Sequence, residues 1–259
     1  MKTMKRVSLG RRIRFHSSIP IVGVHLNWHE YDQKSQELLR EADFICYPSR
    51  LYEQFFKALG KRIFPKNCCE FIGNKIRQTL LFEWLDIPHP RTCIYYGKSR
   101  MEKILQDFSY PFIAKNPVGS SQGRGVFLIS SDEDLERYLE NHNPAYIQEY
   151  LPVDRDLRIV IFGSKPIHAY WRIGRAGDFR HNVSQGAEIS FDDIPESALD
   201  FAEEVSRRCG FEDVGLDVIV FDNAFYVIEA NMVYGQEGFR KCGKRMDEMI
   251  GKVKLEEIL

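Results

Sequence analysis

The chain of 259 residues carries no excess of either charge: 36 basic side chains stand against 37 acidic ones. No global field therefore selects nucleic acid or a membrane surface as partner. Paired CxxC spacing is also missing. The six cysteines (Cys46, Cys68, Cys69, Cys93, Cys209 and Cys242) read as free thiols in a reducing compartment rather than a zinc site or a disulfide framework. No run is long and apolar enough to span a bilayer. The basic N-terminal arm (Lys2, Lys5, Arg6, Arg11, Arg12, Arg14) is followed by no signal-like apolar stretch. A soluble, cytoplasmic protein without a membrane or a specific nucleic-acid partner is expected, and the arm itself reads as a frayed, solvated terminus. Internal repeats and low-complexity tracts are absent. So are GxxxxGK[ST] and HExxH: His25 and His29 lie four apart with Glu30 following, but Trp28 and Tyr31 beside them read as packing rather than as a metal site. No Ser/His or Cys/His pairing marks a protein nucleophile.

Alternating strand and helix patterns fill the rest. Ile19–Val24 reads as a buried strand, Lys34–Ala42 as a helix, Asp43–Tyr47 as a strand, and a helix follows Pro48-Ser49 up to Gly60. A second group begins with a helix over Asn74–Leu85, stopped by Ile87-Pro-His-Pro90. Strands Thr92–Tyr96, Pro111–Lys115, Gly125–Ile129 and Tyr146–Tyr150 then alternate with helices over Ser99–Gln106 and, after a capping pattern at Ser130-Ser-Asp-Glu133, up to Leu139. A third group has hairpin strands Leu157–Phe162 and Pro166–Arg172, a helix over Pro195–Cys209 and a closing hairpin. A short α/β lobe over 1–72 followed by two α+β lobes, 73–145 and 146–259, is the expected organisation, with a cleft at the junction near Tyr146–Leu151.

Three stretches carry candidate chemistry. The closing hairpin, Gly215 to Asn231, places Asp217, Glu229 and Asn231 along its strands, and these are hard oxygen donors suited to Mg²⁺. Register decides whether they meet. A two-residue loop at Asn223-Ala224 pairs Val218 with Glu229 and sends Asp217 to the other face; a three-residue loop, Asp222-Asn223-Ala224, pairs Asp217 with Glu229. Secondly, Lys115 ends a strand before a loop with Gly119, Gly123 and Gly125, where backbone N–H groups and an ammonium can approach phosphate oxygens. Thirdly, Arg158, Arg172, Arg175 and Arg180 gather guanidiniums suited to phosphate or carboxylate, with His181 and Asn182 beside them.

Taken in order, Gly73-Asn74-Lys75, Phe112 to Gly125, Gln148-Glu149-Tyr150-Leu151, Asp156-Leu157-Arg158, Gly177-Asp-Phe-Arg180-His-Asn182, Gly215-Leu-Asp217 and Glu229-Ala-Asn231 resemble the ATP-grasp superfamily. The likeness is strongest to its RimK-type ligases, which add glutamate to a ribosomal protein. The resemblance covers about residues 71 to 250. It implies an ATP-grasp fold, two α+β lobes clasping ATP. It also implies an ADP-forming carboxylate–amine or carboxylate–thiol ligase working through an acyl phosphate, with ATP and two Mg²⁺ or Mn²⁺ ions. By the same resemblance, Lys75 and Lys115 contact ATP phosphates, Gly123 lies in the phosphate loop, Glu149, Tyr150 and Leu151 frame the adenine, and Asp156 binds the ribose. Arg180, His181 and Asn182 lie near the phosphates, Arg172 and Arg180 stabilise the acyl phosphate or the oxyanion, and Asp217, Glu229 and Asn231 hold the metal ions. Partners so implied are an acid such as glutamate, an amine on an amino acid, peptide or protein, and a second copy of the chain. Two other functions fit the same residues: a nucleotide-binding partner without activity, and a phosphotransferase for small molecules. Met232-Val-Tyr-Gly235 and the short first lobe depart from the family pattern on the acceptor side.

Overall fold

The computed structural model describes residues 4–119, 125–163, 165–174 and 187–254. Its strands form three sheets that follow one another along the chain. The first is parallel, with β1 (Arg6–Ser8), β2 (Phe44–Cys46) and β3 (Arg62–Phe64) side by side in that order. Such a sheet needs helices to cover it. Gln33–Glu41, whose cap Asp32 accepts from Ser35 N at 2.6 Å, and Arg50–Ala58 supply them, closing a core of Val7, Leu39, Ile45, Phe56 and Ile63.

Two expectations fail here. Ile19–Val24 is no strand: Pro20 offers no N–H and Gly23 takes a positive φ of 81°, so the segment only bridges Ser8 at Ile21, and Val24 is exposed. Its predicted place in the sheet belongs to Arg6–Ser8, within the arm expected to fray. That arm is anchored. Arg12 donates to Asp213 at 2.9 Å and Arg14 pairs with Asp247.

The second sheet is antiparallel, with β4 (Thr92–Tyr95), β5 (Phe112–Lys115), β6 (Val126–Ile129) and β7 (Ala145–Glu149) in the order β4-β7-β5-β6. Helices Arg100–Asp107 and Asp132–Asn141 close one face over Phe112, Ala114 and Ile147. Ser131 rather than Ser130 caps the second helix, accepting from Asp134 N at 3.2 Å, because Asp134 in turn accepts from Ser130 N. Alternation turns Ile113, Lys115, Tyr146 and Gln148 to the opposite face. β7 lies between β4 and β5, so a lobe boundary at 145/146 cuts a strand from the neighbours it pairs with.

The third sheet is antiparallel throughout: β8 (Arg155–Phe162), β9 (Lys165–Ile173), β10 (Glu188–Ser190), β11 (Asp213–Phe221) and β12 (Ala224–Asn231), in the order β10-β9-β8-β11-β12. Helix Glu196–Cys209 covers one face through Ala198, Ala202 and Val205 against Leu157, Ile159, Leu216 and Val218. The other face changes character along β8. Val160 and Phe162 pack against Phe64 of the first sheet and Phe239, Met246 and Ile250 of the C-terminal helices. Asp156 and Arg158 precede them on the same face, beyond that apolar cover. No helix among the described residues is long and apolar enough to cross a membrane.

Candidate functional site

The acids of the closing hairpin meet by a route that sequence spacing did not show. The turn is two residues, Asp222-Asn223, with φ of 48° and 59°, so Phe221 pairs with Ala224. Two consecutive positive φ values define the tight turn whose twist suits a hairpin, and Asp and Asn tolerate them. That turn alone pairs Val218 with Val227. A bulge then inserts Ile228 and restores Asp217 opposite Glu229, with Gly215 opposite Asn231. The loop has the shorter of the two lengths weighed from the sequence but sits one residue earlier, at Asp222-Asn223, and the bulge yields the Asp217–Glu229 pairing expected of the longer one.

Asp217 is 4% exposed and lies within a chain of charges. Arg158, its cross-strand partner on β8, donates Nη2 to Oδ2 at 3.1 Å and Nε to Oδ1. Arg172 Nη2 reaches Oδ1 at 3.0 Å, and Asn231 Nδ2 reaches Oδ2 at 3.2 Å. Burial opposes the ionised carboxyl, but Arg158 and Arg172 outweigh it and hold Asp217 below the usual carboxylate range. Arg172 also grips Asp156 by Nε and Nη2, at 2.6 and 2.7 Å. Both Asp156 oxygens are thus engaged at 3% exposure and buttress Arg172. Removing Asp217 leaves the buried Arg158 guanidinium without the carboxylate it pairs with here, and removing Arg172 does the same to Asp156.

Glu229 sits nearer solvent, its side chain 25% exposed, and accepts from Lys75 Nζ at 2.8 Å. Lys75 opens the helix Lys75–Trp84, whose cap Asn74 accepts from Arg77 N at 3.1 Å. Its own N–H meets Pro117 O at 3.0 Å, and Gly119 N meets Gly73 O at 3.0 Å, so the helix start is stitched to the strand that leaves Lys115. Thr79, one turn on, shares a 2.7 Å bond with Tyr146 OH. Lys115 is buried and turned to the same side. Burial pushes its ammonium down to about 8; Glu229 and Asp217 oppose that shift and Lys75 adds to it. Lys75, Lys115, Arg158, Arg172, Asp217, Glu229 and Asn231 therefore form one centre; Arg158, expected only as one of four guanidiniums suited to phosphate or carboxylate, pairs with the Asp217 carboxylate. The alternation Asp156-x-Arg158 on a strand was the available signal.

The remaining expected residues are placed as follows. Glu149 closes β7, exchanging backbone contact with Arg91 (Glu149 N to Arg91 O, 2.9 Å) while its carboxylate accepts from Arg91 N. Tyr150 and Leu151 are half-buried where the chain leaves the sheet. Next along the chain, Pro152, Val153, Asp154 and Arg155 line an open cleft of about 520 Å³ with Trp171, Val220, Phe221 and Asp222. Trp171 and Arg155 belong to the face of the third sheet opposite Arg172 and Asp217, so this cleft is distinct from the charged centre. Gly123, Arg175, Arg180, His181 and Asn182 lie outside the described residues.

The donor set suits a hard divalent cation. Two carboxylates face each other across the strands, and Asn231, by donating its amide nitrogen to Asp217, turns its oxygen elsewhere. Among the described residues, no group of three or more His, Cys, Asp or Glu side chains is gathered for a metal.

A strand pair bearing two facing carboxylates and an amide beside two lysines, with an α+β sheet on either side of the junction, is the architecture of an ATP-grasp protein. The family model for the RimK-like ATP-grasp domain matches residues 72–252, and the chain belongs to that family. ATP with Mg²⁺ or Mn²⁺ is the family's general requirement. The chain is 29% identical over 174 residues to a glutathione synthetase of Thermosynechococcus vestitus, covering 63% of this chain and 52% of that protein. It is 25% identical over 194 residues to the coenzyme gamma-F420-2:alpha-L-glutamate ligase of Methanococcus maripaludis, covering 70% of this chain and 65% of that one. The match thus spans only about half to two thirds of the length of these relatives. Among solved structures, a RimK domain ATP-grasp protein from Sphaerobacter thermophilus superposes at a TM-score of 0.66 with 15% identity, covering 95% of this chain and 98% of that one.

Proposed function

We propose that the chain is an ADP-forming carboxylate–amine ligase with ATP as the phosphoryl donor. The observation that carries the proposal is the opposition of Asp217 and Glu229, with Asn231 on their face, beside Lys75, Lys115 and Arg172. In such a reaction a substrate carboxylate attacks the γ-phosphate of ATP, releasing ADP and leaving an acyl phosphate. The amine then adds to the acyl carbon and phosphate departs. Both first reactants are anions, so approach requires positive charge already in place. Lys75 and Lys115 supply it for the triphosphate, and Arg172, held rigid by Asp156, for charge developing on the acyl group. Two divalent ions, held by Asp217, Glu229 and Asn231, would neutralise the transferring phosphoryl oxygens. Gly123, Arg180, His181 and Asn182 complete the phosphate side in this reading, and Glu149, Tyr150 and Leu151 the adenine side. The natural division between the two clasping lobes falls after Glu149, where β7 ends.

Relatives named alpha-L-glutamate ligases make glutamate the first acid to test. Incubation with Mg·ATP, glutamate and a mixture of amines and peptides is expected to release ADP and phosphate and to give a new amide mass. Hydroxylamine added in place of the amine traps the acyl phosphate as a hydroxamate. Nucleotide binding without ADP under every acid and amine would overturn ligation in favour of a binding protein, and a stable phosphoester would identify a phosphotransferase.

A further inference from the structure

The strand that bears Glu229 and Asn231 is the last of its sheet, so among the described residues its outer edge has no neighbouring strand. Unmet backbone groups there would leave both side chains loosely placed. The edge is closed by other means. Val227 N donates to Pro88 O at 2.9 Å, and farther along a single side chain takes over. Gln78 Nε2 donates to Ala230 O at 2.7 Å, and its Oε1 accepts from Ala230 N at 3.0 Å. A primary amide has the donor–acceptor pattern of a peptide group, so this exchange imitates one residue of a sixth strand. Gln78 is 3% exposed, and its nitrogen also donates to Phe71 O at 2.9 Å.

Ala230 is the residue between Glu229 and Asn231, and Gln78 lies one turn beyond Lys75 on the same helix face. One buried amide therefore fixes the two peptide planes flanking the metal donors and sets their distance from the lysine that pairs with Glu229. We infer that Gln78 is a positioning residue for the Glu229–Asn231 cation site, acting through Ala230 without touching the cation. The inference rests on the proposed ATP-and-metal reading of that site. Groups that orient metal ligands through hydrogen bonds typically change metal affinity about 10- to 100-fold when removed.

The test compares the intact chain with Gln78→Met, which keeps the length and loses all three bonds. Gln78→Glu is added because it keeps an acceptor for Ala230 N–H should the first variant fold poorly. Calorimetry reads binding of AMP-PNP with Mg²⁺ and with EDTA, and hydrogen exchange reads the Ala230 amide. The expected result is a loss of Mg·AMP-PNP affinity of about tenfold or more in Q78M, a change below about twofold in EDTA, partial recovery in Q78E, and faster exchange at Ala230. Equal losses with and without Mg²⁺, or none despite faster exchange, would overturn the inference while leaving the nucleotide site intact. A native chain that binds no Mg·AMP-PNP overturns the proposed function and the metal role of Gln78 together, whereas exchange at Ala230 still reports whether Gln78 holds the strand.

Discussion

Two buried aspartates, four residues apart on the same face of β11, show how similar chemistry serves different ends. Asp213 is enclosed by Arg12 of the N-terminal segment, by Tyr47 OH at 2.7 Å and by Tyr234 OH at 2.6 Å. Burial, with Asp213 beside them, pushes both tyrosines well above their ordinary range. Every partner comes from a different segment, and Arg12 lies over the Tyr234 ring at 4.7 Å, so the cluster fastens the first lobe to the third sheet. Asp217 has two arginines and an amide, and it borders Glu229, Lys75 and the buried Lys115. Gly215 separates the two centres. A Cβ there would meet Arg158 Nη1 and Tyr234 Cβ, both at 3.1 Å, so glycine lets one residue of each centre lie against the strand. The Asp213 cluster has one cation for one anion. The described part of the Asp217 centre has Lys75, Lys115, Arg158 and Arg172 against Asp156, Asp217 and Glu229, a surplus of positive charge beside the partly exposed Glu229 carboxylate. A closed polar cluster holds a fold together; an unbalanced one invites an anion.

That contrast is broken most severely by exchanging which aspartate is removed. Asp217→Ala or Glu229→Ala is expected to lower ligase turnover about a thousandfold, read as ADP release, since charge compensation at the phosphoryl group is lost. Normal turnover in both variants would remove these residues from the reaction. Asp213→Ala strands the Arg12 guanidinium and is expected to cost about 3 kcal/mol in chemical denaturation while nucleotide affinity stays within about twofold. Tyr234→Phe, which deletes one bond to the same carboxylate, should cost about 1 kcal/mol in that assay. If Asp213→Ala abolished nucleotide binding at unchanged stability, the two centres would be one.

The outlines of this contrast were legible in the sequence to different depths. Hydrophobic alternation and caps placed Gln33–Glu41, Lys75–Trp84 and most strands of the second and third sheets within a residue or two, because local patterning decides such elements. The parallel β1 and β3 are only three residues each and were missed, as was β10; their pairing partners are distant in sequence. Spacing left open whether Asp217 and Glu229 face each other, because a bulge at Ile228 leaves no spacing signature and the two-residue turn forms one residue earlier than the one weighed. What periodicity cannot encode is which charges pair. Lys75 with Glu229, Gln78 with Ala230 and Arg12 with Asp213 each join segments whose contact is created by tertiary packing.

A milder probe of the same contrast is pH. Lys115 is pushed down to about 8, so the folded chain releases this proton before the unfolded one does. Below about pH 8 both states are protonated and the cost of burying the charge is fully present; as pH rises through that value toward the ordinary lysine range, the cost is relieved and this group's contribution to stability improves. Nucleotide binding runs the other way. A triphosphate favours the charged lysine, so affinity is expected to fall above about pH 8 and binding to take up a proton. Calorimetry in buffers of different ionisation enthalpy reads that uptake, and Lys115→Met should abolish it. An uptake that persists in Lys115→Met would assign the titration to another group.

The smallest expected effect separates the turn from the site it serves. Asn223 holds φ at 59°, a conformation that costs a residue such as alanine about 1 kcal/mol. Asn223→Ala should therefore lower stability by about that amount. Between the turn and Glu229 stand the Phe221–Ala224 to Val218–Val227 pairs and the Ile228 bulge, and beyond them Gln78 grips Ala230. Register at Asp217 is thus fixed from both sides, by the bulge and by the helix, and the turn only joins the strands. Mg²⁺-dependent nucleotide affinity is expected to stay unchanged in Asn223→Ala. A tenfold loss there would mean that the turn sets the register, and that the bulge follows from it.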